Sequence, residues 1–163
     1  MGIFAIFDIY INSDINEIMN FIIYDIVAKN KVRTYENFES ILNRSIRENY
    51  NNCNVTFDAF NASITKLGND DINFKREIYD LIFNYNFYFE LYRKSEDRDS
   101  EMMKFLGFIM RKYLGDCVLT LNTVTVLIRK DEEIIVDETD TKRIKMLPYN
   151  LLELPVKLGK IDV

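Results

Sequence analysis

The sequence predicts an α+β domain, a mainly antiparallel sheet with helices packed on one face in a split βαβ-like order. Three observations predict it. Segments 3–11, 84–94 and 117–129 carry the alternating or continuous apolar pattern, rich in β-branched and aromatic residues, that strands favour. Segments 14–29 and 100–114 place apolar residues at helical intervals. Strand and helix patterns follow one another along 163 residues with no interdomain linker or internal repeat, so a single globular domain over 1–163 is expected.

In chain order, residues 3–11 put Ile3, Ala5, Phe7, Ile9 and Ile11 on one side and Phe4, Ile6, Asp8 and Tyr10 on the other, the pattern of a central strand. Asp14 and Glu17 have capping-box spacing, and Ile15, Ile18, Met19, Ile22 and Ile26 continue as a helix over 14–29. A second, weaker helical stripe covers 34–49. Residues 55–62 alternate as one strand, and Gly68-Asn69-Asp70-Asp71 reads as a turn. Residues 74–83 are ambiguous and lean to a short helix or irregular bridge. Residues 84–94 form the cleanest strand pattern, and Met102, Phe105, Leu106, Ile109, Met110 and Tyr113 stripe a helix over 100–114. Gly115 is suited to the left-handed turn after that helix. Cys117–Leu121 and Val124–Arg129 flank Asn122-Thr123, the length of a two-residue hairpin, and Ile134-Ile135-Val136 offers a further strand. Pro148 and Pro155 punctuate a tail that is expected to pack as an extended cover and not as a helix.

Composition excludes whole classes of chemistry. The chain has no His, which removes the Ser-His-Asp triad, Cys-His nucleophiles and His-ligated zinc. Its two cysteines, Cys53 and Cys117, form neither a CxxC pair nor a disulfide framework, and Cys117 sits in an apolar run that suits a buried, inert thiol. No GxxxxGK[ST] or GxGxxG occurs to cradle a phosphate. The net charge of −5 has the wrong sign for holding nucleic acid by counterion release and accommodates a basic partner more easily. No Lys or Arg precedes the first apolar stretch, and no apolar run is long enough to cross a bilayer, so the expectation is a cytoplasmic protein without a membrane partner.

Carboxylates cluster in Asp70-Asp71, Glu96-Asp97-Asp99 and Asp131-Glu132-Glu133, all in expected turns, where solvent keeps them from the raised pKa that general acid catalysis needs. Around Asp97–Glu101 the Gly of a calcium loop is missing. No catalytic residue, metal site or cofactor is therefore expected. The tyrosines and phenylalanines between Tyr79 and Tyr92 lack the basic interleaving of a base-stacking surface and read as core and sheet. The most asymmetric stretch is 131–140, with six acids and no base, followed by Lys142, Arg143 and Lys145. Asp131, Glu132, Glu133, Asp137, Glu138 and Asp140 are its candidate partner-binding residues; the same charges would also protect a strand edge from aggregation.

Gly115-Asp116-Cys117-Val118-Leu119-Thr120-Leu121-Asn122, Val126-Leu127-Ile128-Arg129, Leu147-Pro148-Tyr149 and Leu154-Pro155 together resemble the C-terminal half of the SitI3-type immunity proteins of bacterial polymorphic-toxin systems. Those sequences end a helix at Gly-Asp, run a strand to an Asn turn, return through a Val-Leu-Leu-Arg-like strand and finish in a Pro-Tyr/Leu-Pro tail. Thr123 stands where the family's turn has Gly. The resemblance implies a non-enzymatic protein that neutralises a cognate toxin domain by binding it. Met1-Gly2-Ile3, Phe7-Asp8-Ile9 and Ile11-Asn12 look like the opening of the poxvirus host-range proteins, a β-sandwich family, with no support after residue 15. A viral or phage inhibitor of host defence is the alternative function, and a carboxylate-dependent enzyme the third.

Overall fold

The computed structural model describes residues 3–34, 52–137 and 147–163. The helix expected over 34–49 lies almost wholly outside them. Among the described residues there are eight strands in one sheet: β1 (Ile3–Ile9), β2 (Asn52–Thr56), β3 (Phe60–Lys66), β4 (Tyr85–Leu91), β5 (Cys117–Leu121), β6 (Val124–Lys130), β7 (Glu133–Asp137) and β8 (Lys157–Gly159). Their order is β2-β3-β4-β1-β5-β6-β7-β8, antiparallel throughout except for the parallel β7–β8 pair. The helices are α1 (Ile15–Phe21), which runs on as a π-helix over Ile22–Val27, α2 (Asn69–Tyr79) and α3 (Arg98–Lys112), with a 3₁₀ turn at Tyr149–Leu152. The α+β class and mainly antiparallel sheet are those the sequence predicts.

Apolar residues on both sides of β1 put it at the centre, because a central strand loses water from both faces. It pairs antiparallel with β4 on one side and β5 on the other. β4 and β5 are thus parallel to each other and joined across β1 through α3, which is the split βαβ unit. Ala5, Phe7 and Ile9 point into the main core, where they meet the buried stripe of α3, including Met102, Phe105, Leu106 and Ile109, and that of α1. Asp14 caps α1 by accepting the Glu17 N–H at 2.9 Å. The other sheet face carries Asp8, 2% exposed, whose carboxylate accepts from Lys75 Nζ of α2 and Asn86 Nδ2, each at 2.8 Å. A small second core of Leu81, Phe83 and Val118 lies on that side, so α2 adds a thinner layer opposite α1 and α3.

Four segments depart from their sequence pattern. The alternation over 55–62 spans two strands, β2 and β3, joined by a turn in which Phe57 N–H donates to the Phe60 carbonyl at 2.8 Å. The apolar pattern persists through the turn because Phe57 is itself buried against Phe105, with ring centroids 5.3 Å apart. Asn69-Asp70-Asp71 opens α2 instead of forming a turn; its acids sit in the first helical turn, where the positive end of the helix dipole stabilises them. Gly115 is not left-handed. Its missing side chain serves a close approach instead, since a Cβ there would lie 2.0 Å from the Tyr10 carbonyl oxygen. The tail does cover the core, but through one 3₁₀ turn that buries Tyr149 and Leu152. Gly107 of α3 makes room for it: a Cβ there would meet the Leu152 carbonyl at 2.9 Å.

Asn122 supplies the left-handed residue of the β5–β6 turn without Gly, at φ 50°, and its side chain accepts the Phe4 N–H. Among the described residues no helix is long and apolar enough to cross a membrane.

Candidate binding cleft

At one end of the sheet four elements stop side by side. β1 gives way to Tyr10, the link from α2 to β4 carries Asp80 and Ile82, the chain leaves α3 through Leu114-Gly115-Asp116, and β6 turns into β7 at Asp131-Glu132. They enclose a cleft of about 570 Å³. Tyr10, Ile82 and Leu114 line it while remaining open to solvent, Leu114 at 64% exposure, an unusual state for three large apolar side chains in one place. Around them stand Asp80, Asp116, Asp131 and Glu132, against, among the described residues, the single ammonium of Lys130. Lys130 Nζ lies 3.9 Å from Asp80, whose side chain is 94% exposed, so that contact neutralises little. A second lobe of about 490 Å³ shares Leu114 and Glu132 with the first and extends over Ile134, Leu154 and Pro155.

Backbone constraints hold the lobes in place. Arg129, 3% exposed, reaches under α3 and donates Nη1–H to the Met110 carbonyl (2.8 Å), Nη2–H to Tyr113 (2.6 Å) and Nε–H to Gly115 (2.9 Å). The end of a helix has carbonyls without intrahelical donors and a negative dipole end, so one buried guanidinium satisfies both needs and thereby positions Leu114. Tyr10 N–H donates to the Asp116 carbonyl at 3.0 Å, which ties the same loop to β1. Asp116 Oδ1 accepts the Asp131 N–H at 3.0 Å. Asp131 and Glu132 are both left-handed, at φ 51° and 69°, the geometry of a two-residue hairpin turn that matches strand twist. For Glu132 this conformation is strained.

The expected partner-binding residues separate on this frame. Asp131 and Glu132 are exposed at the cleft. Glu133 forms an ion pair with Lys157 that ties the turn to β8. Asp137 is only 8% exposed and sits opposite Gly159 in the β7–β8 ladder, so it is no surface charge. The reason is that β7 is not an edge strand: β8 covers it, which the sequence pattern of the tail does not reveal. Glu138 and Asp140 lie outside the described residues. Tyr10, Asp80, Ile82, Leu114 and Asp116 were not among the sequence candidates; only Leu114, off the buried stripe of α3, carries a local signal.

Reactive groups elsewhere are held in their neutral forms. Burial pushes the Cys117 thiol from 9.0 up to about 12, opposed in part by the Arg129 guanidinium. Burial, and then Glu17, push the Tyr113 phenol from 10.0 up to about 12; burial raises Tyr85 as well. The folded protein therefore binds these protons more tightly than the unfolded chain does. Stability from this source is fully present below the unfolded values of 9.0 and 10.0 and is lost as pH rises through about 12. Denaturation midpoints are expected to stay level up to about pH 9 and to fall steeply above pH 10. Cys117 is expected to stay unreactive to a disulfide reagent until the protein unfolds, and labelling of the folded Cys53→Ser variant, whose sole thiol is Cys117, at about pH 9 would contradict its burial.

Among the described residues no group of three or more His, Cys, Asp or Glu is placed to hold a metal ion. The arrangement at the sheet end offers apolar contact surface and negative charge. In comparisons with known proteins, no family model, no curated protein and no solved structure matches this chain.

Proposed function

We propose that this chain is a non-enzymatic binding protein of the SitI3 immunity type, acting in the cytoplasm to neutralise a cognate toxin domain by holding it. The observation that carries the reading is the cleft at the sheet end: three exposed apolar side chains from separate segments, ringed among the described residues by four carboxylates against one lysine. Grouped exposure of this kind is costly in water and is the usual mark of a contact surface. The Gly115–Asn122 and Val126–Arg129 segments that carry the resemblance form β5 and β6, and Arg129 fixes the loop on which Leu114 stands. Sequestration asks for a surface and for no chemistry, in keeping with a chain that lacks His.

The reading expects a toxin domain to be encoded beside this chain, and the test is co-expression with that domain. Growth is expected to be restored, with the two proteins eluting as one complex in size-exclusion chromatography. Continued growth arrest, with folded protein present and no co-elution, would refute the reading.

A further inference from the structure

We infer that the two lobes form one groove for a cationic, amphipathic segment of a partner protein: Arg or Lys against the carboxylates of the first lobe, and a neighbouring apolar side chain against Leu114 and Leu154-Pro155 in the second. The inference deepens the binding reading above and rests on it. It also replaces an acidic hairpin by a composite site from separated parts of the chain.

The argument is a balance of charge and apolar surface along the groove. In the first lobe Asp80, Asp116, Asp131 and Glu132 face, among the described residues, only Lys130. The second lobe is balanced. Its Arg129 donates to three backbone carbonyls, and its Lys157 is paired with Glu133. What remains there for a partner is the apolar surface of Leu114, Leu154 and Pro155, above the buried Ile134. Leu114 and Glu132 border both lobes, so an occupant with its cation and its apolar side chain close together fits, and one carrying either alone fits half. Complementary charge orients and accelerates the encounter, while the desolvated apolar contact lengthens it.

The groove can be tested on the full chain without the toxin. Short labelled peptides built from Arg and Leu, from Arg and Ser, and from Glu and Leu serve as probes, read by fluorescence anisotropy and by amide shifts in nuclear magnetic resonance spectra. The Arg-Leu peptide is expected to bind saturably and to shift the amides of Tyr10, Leu114, Asp131 and Glu132. Leu114→Ser should weaken it by about tenfold, the scale for losing a buried leucine contact. Asp131→Asn with Glu132→Gln should weaken it comparably at low salt and little at high salt, because screening removes the charge contribution. These positions are exposed and Asn tolerates the left-handed turn, so the fold survives, as unchanged denaturation midpoints would verify. Glu77→Gln with Glu96→Gln removes the same charge elsewhere and should change nothing.

Equal binding of all three peptides, shifts confined to other surfaces, or indifference to both sets of groove substitutions would overturn the inference. So would self-association of the unaltered protein that Leu114→Ser abolishes, which would assign the groove to a second copy of the chain. The two proposals fail separately. Groove variants that still protect against the toxin would remove the groove and leave the immunity reading, whereas failure of the unaltered protein to protect would remove that reading without touching the peptide result.

Discussion

Replacing Arg129 with Leu is expected to destabilise the protein by about 3 to 5 kcal/mol, on the scale of hydrogen bonds to a charged group, each about 1.5 to 3 kcal/mol and not fully additive. The guanidinium is 3% exposed, and its fork meets the carbonyls of Met110, Tyr113 and Gly115 at 2.6 to 2.9 Å. Leu fills much of the space but donates nothing, which leaves helix-end carbonyls without partners where water enters poorly. Arg129→Lys keeps the charge, yet one ammonium on a flexible stem cannot span three carbonyls in the plane of the fork, so about half of the loss is expected. Urea unfolding of both variants checks the order. A loss below about 0.5 kcal/mol for the Leu variant, the scale of a surface substitution, would mean that the carbonyls find other donors. Because the same fork holds the chain at Leu114, the Lys variant is also expected to weaken binding at the cleft more than its stability loss alone accounts for.

Phe105→Ala should cost a similar amount, about 3 to 5 kcal/mol, the range for removing a buried phenylalanine ring. Phe105 is fully buried, and its ring lies 5.3 Å from that of Phe57, 5.8 Å from those of Phe60 and Phe89, and 6.3 Å from that of Phe87. It is the point at which α3 closes on the β2–β3 turn, β3 and β4 together. Rings held by a sheet cannot collapse into the vacated space, so a cavity term adds to the lost transfer energy. Phe108, one turn away, is half-buried with Lys31 and Arg111 over its ring at 4.9 and 4.8 Å. Its replacement by Ala is expected to cost only about 1 kcal/mol, the scale of a partly exposed cation–π contact. Chemical denaturation of the pair measures the contrast, and equal losses would show that burial does not set the energetics of this helix.

What separates the two helical phenylalanines is legible in the sequence, because Phe105 falls on the apolar stripe of 102–113 and Phe108 does not. The same periodicity located α1, β1, β4, α3 and the β5–β6 hairpin, and it predicted the α+β class. It works there because burial of one face imposes period two or 3.6 on the residues themselves. Where a local pattern serves two structures, tertiary contact decided. Asn69-Asp70-Asp71 suits a turn and a helix start equally, and the Lys75–Asp8 pair that docks α2 on the sheet joins residues 67 positions apart. Phe57 reads as a strand residue and lies in a turn because Phe105 covers it. Gly115 reads as a helix stop and instead lets the Tyr10 carbonyl come close.

The cleft was legible only in its acidic turn. Asp131 and Glu132 stand out in a run of acids, whereas Asp137, from the same run, is covered once β8 pairs with β7. Tyr10, Ile82 and Leu114 carry no common signature, since an apolar residue just beyond a strand or helix looks alike whether it faces core or solvent. Their meeting follows from strand order, which sets β1 beside β4 and β5 and so brings the ends of three distant segments together. The sequence by itself determined α1, α3, β1, β4, β5 and β6 and excluded His-based chemistry, because these are local properties of residue type and spacing. Only the tertiary structure decided which charges face solvent and which apolar side chains share a surface, because strand order and register are set by contacts between segments far apart in the chain.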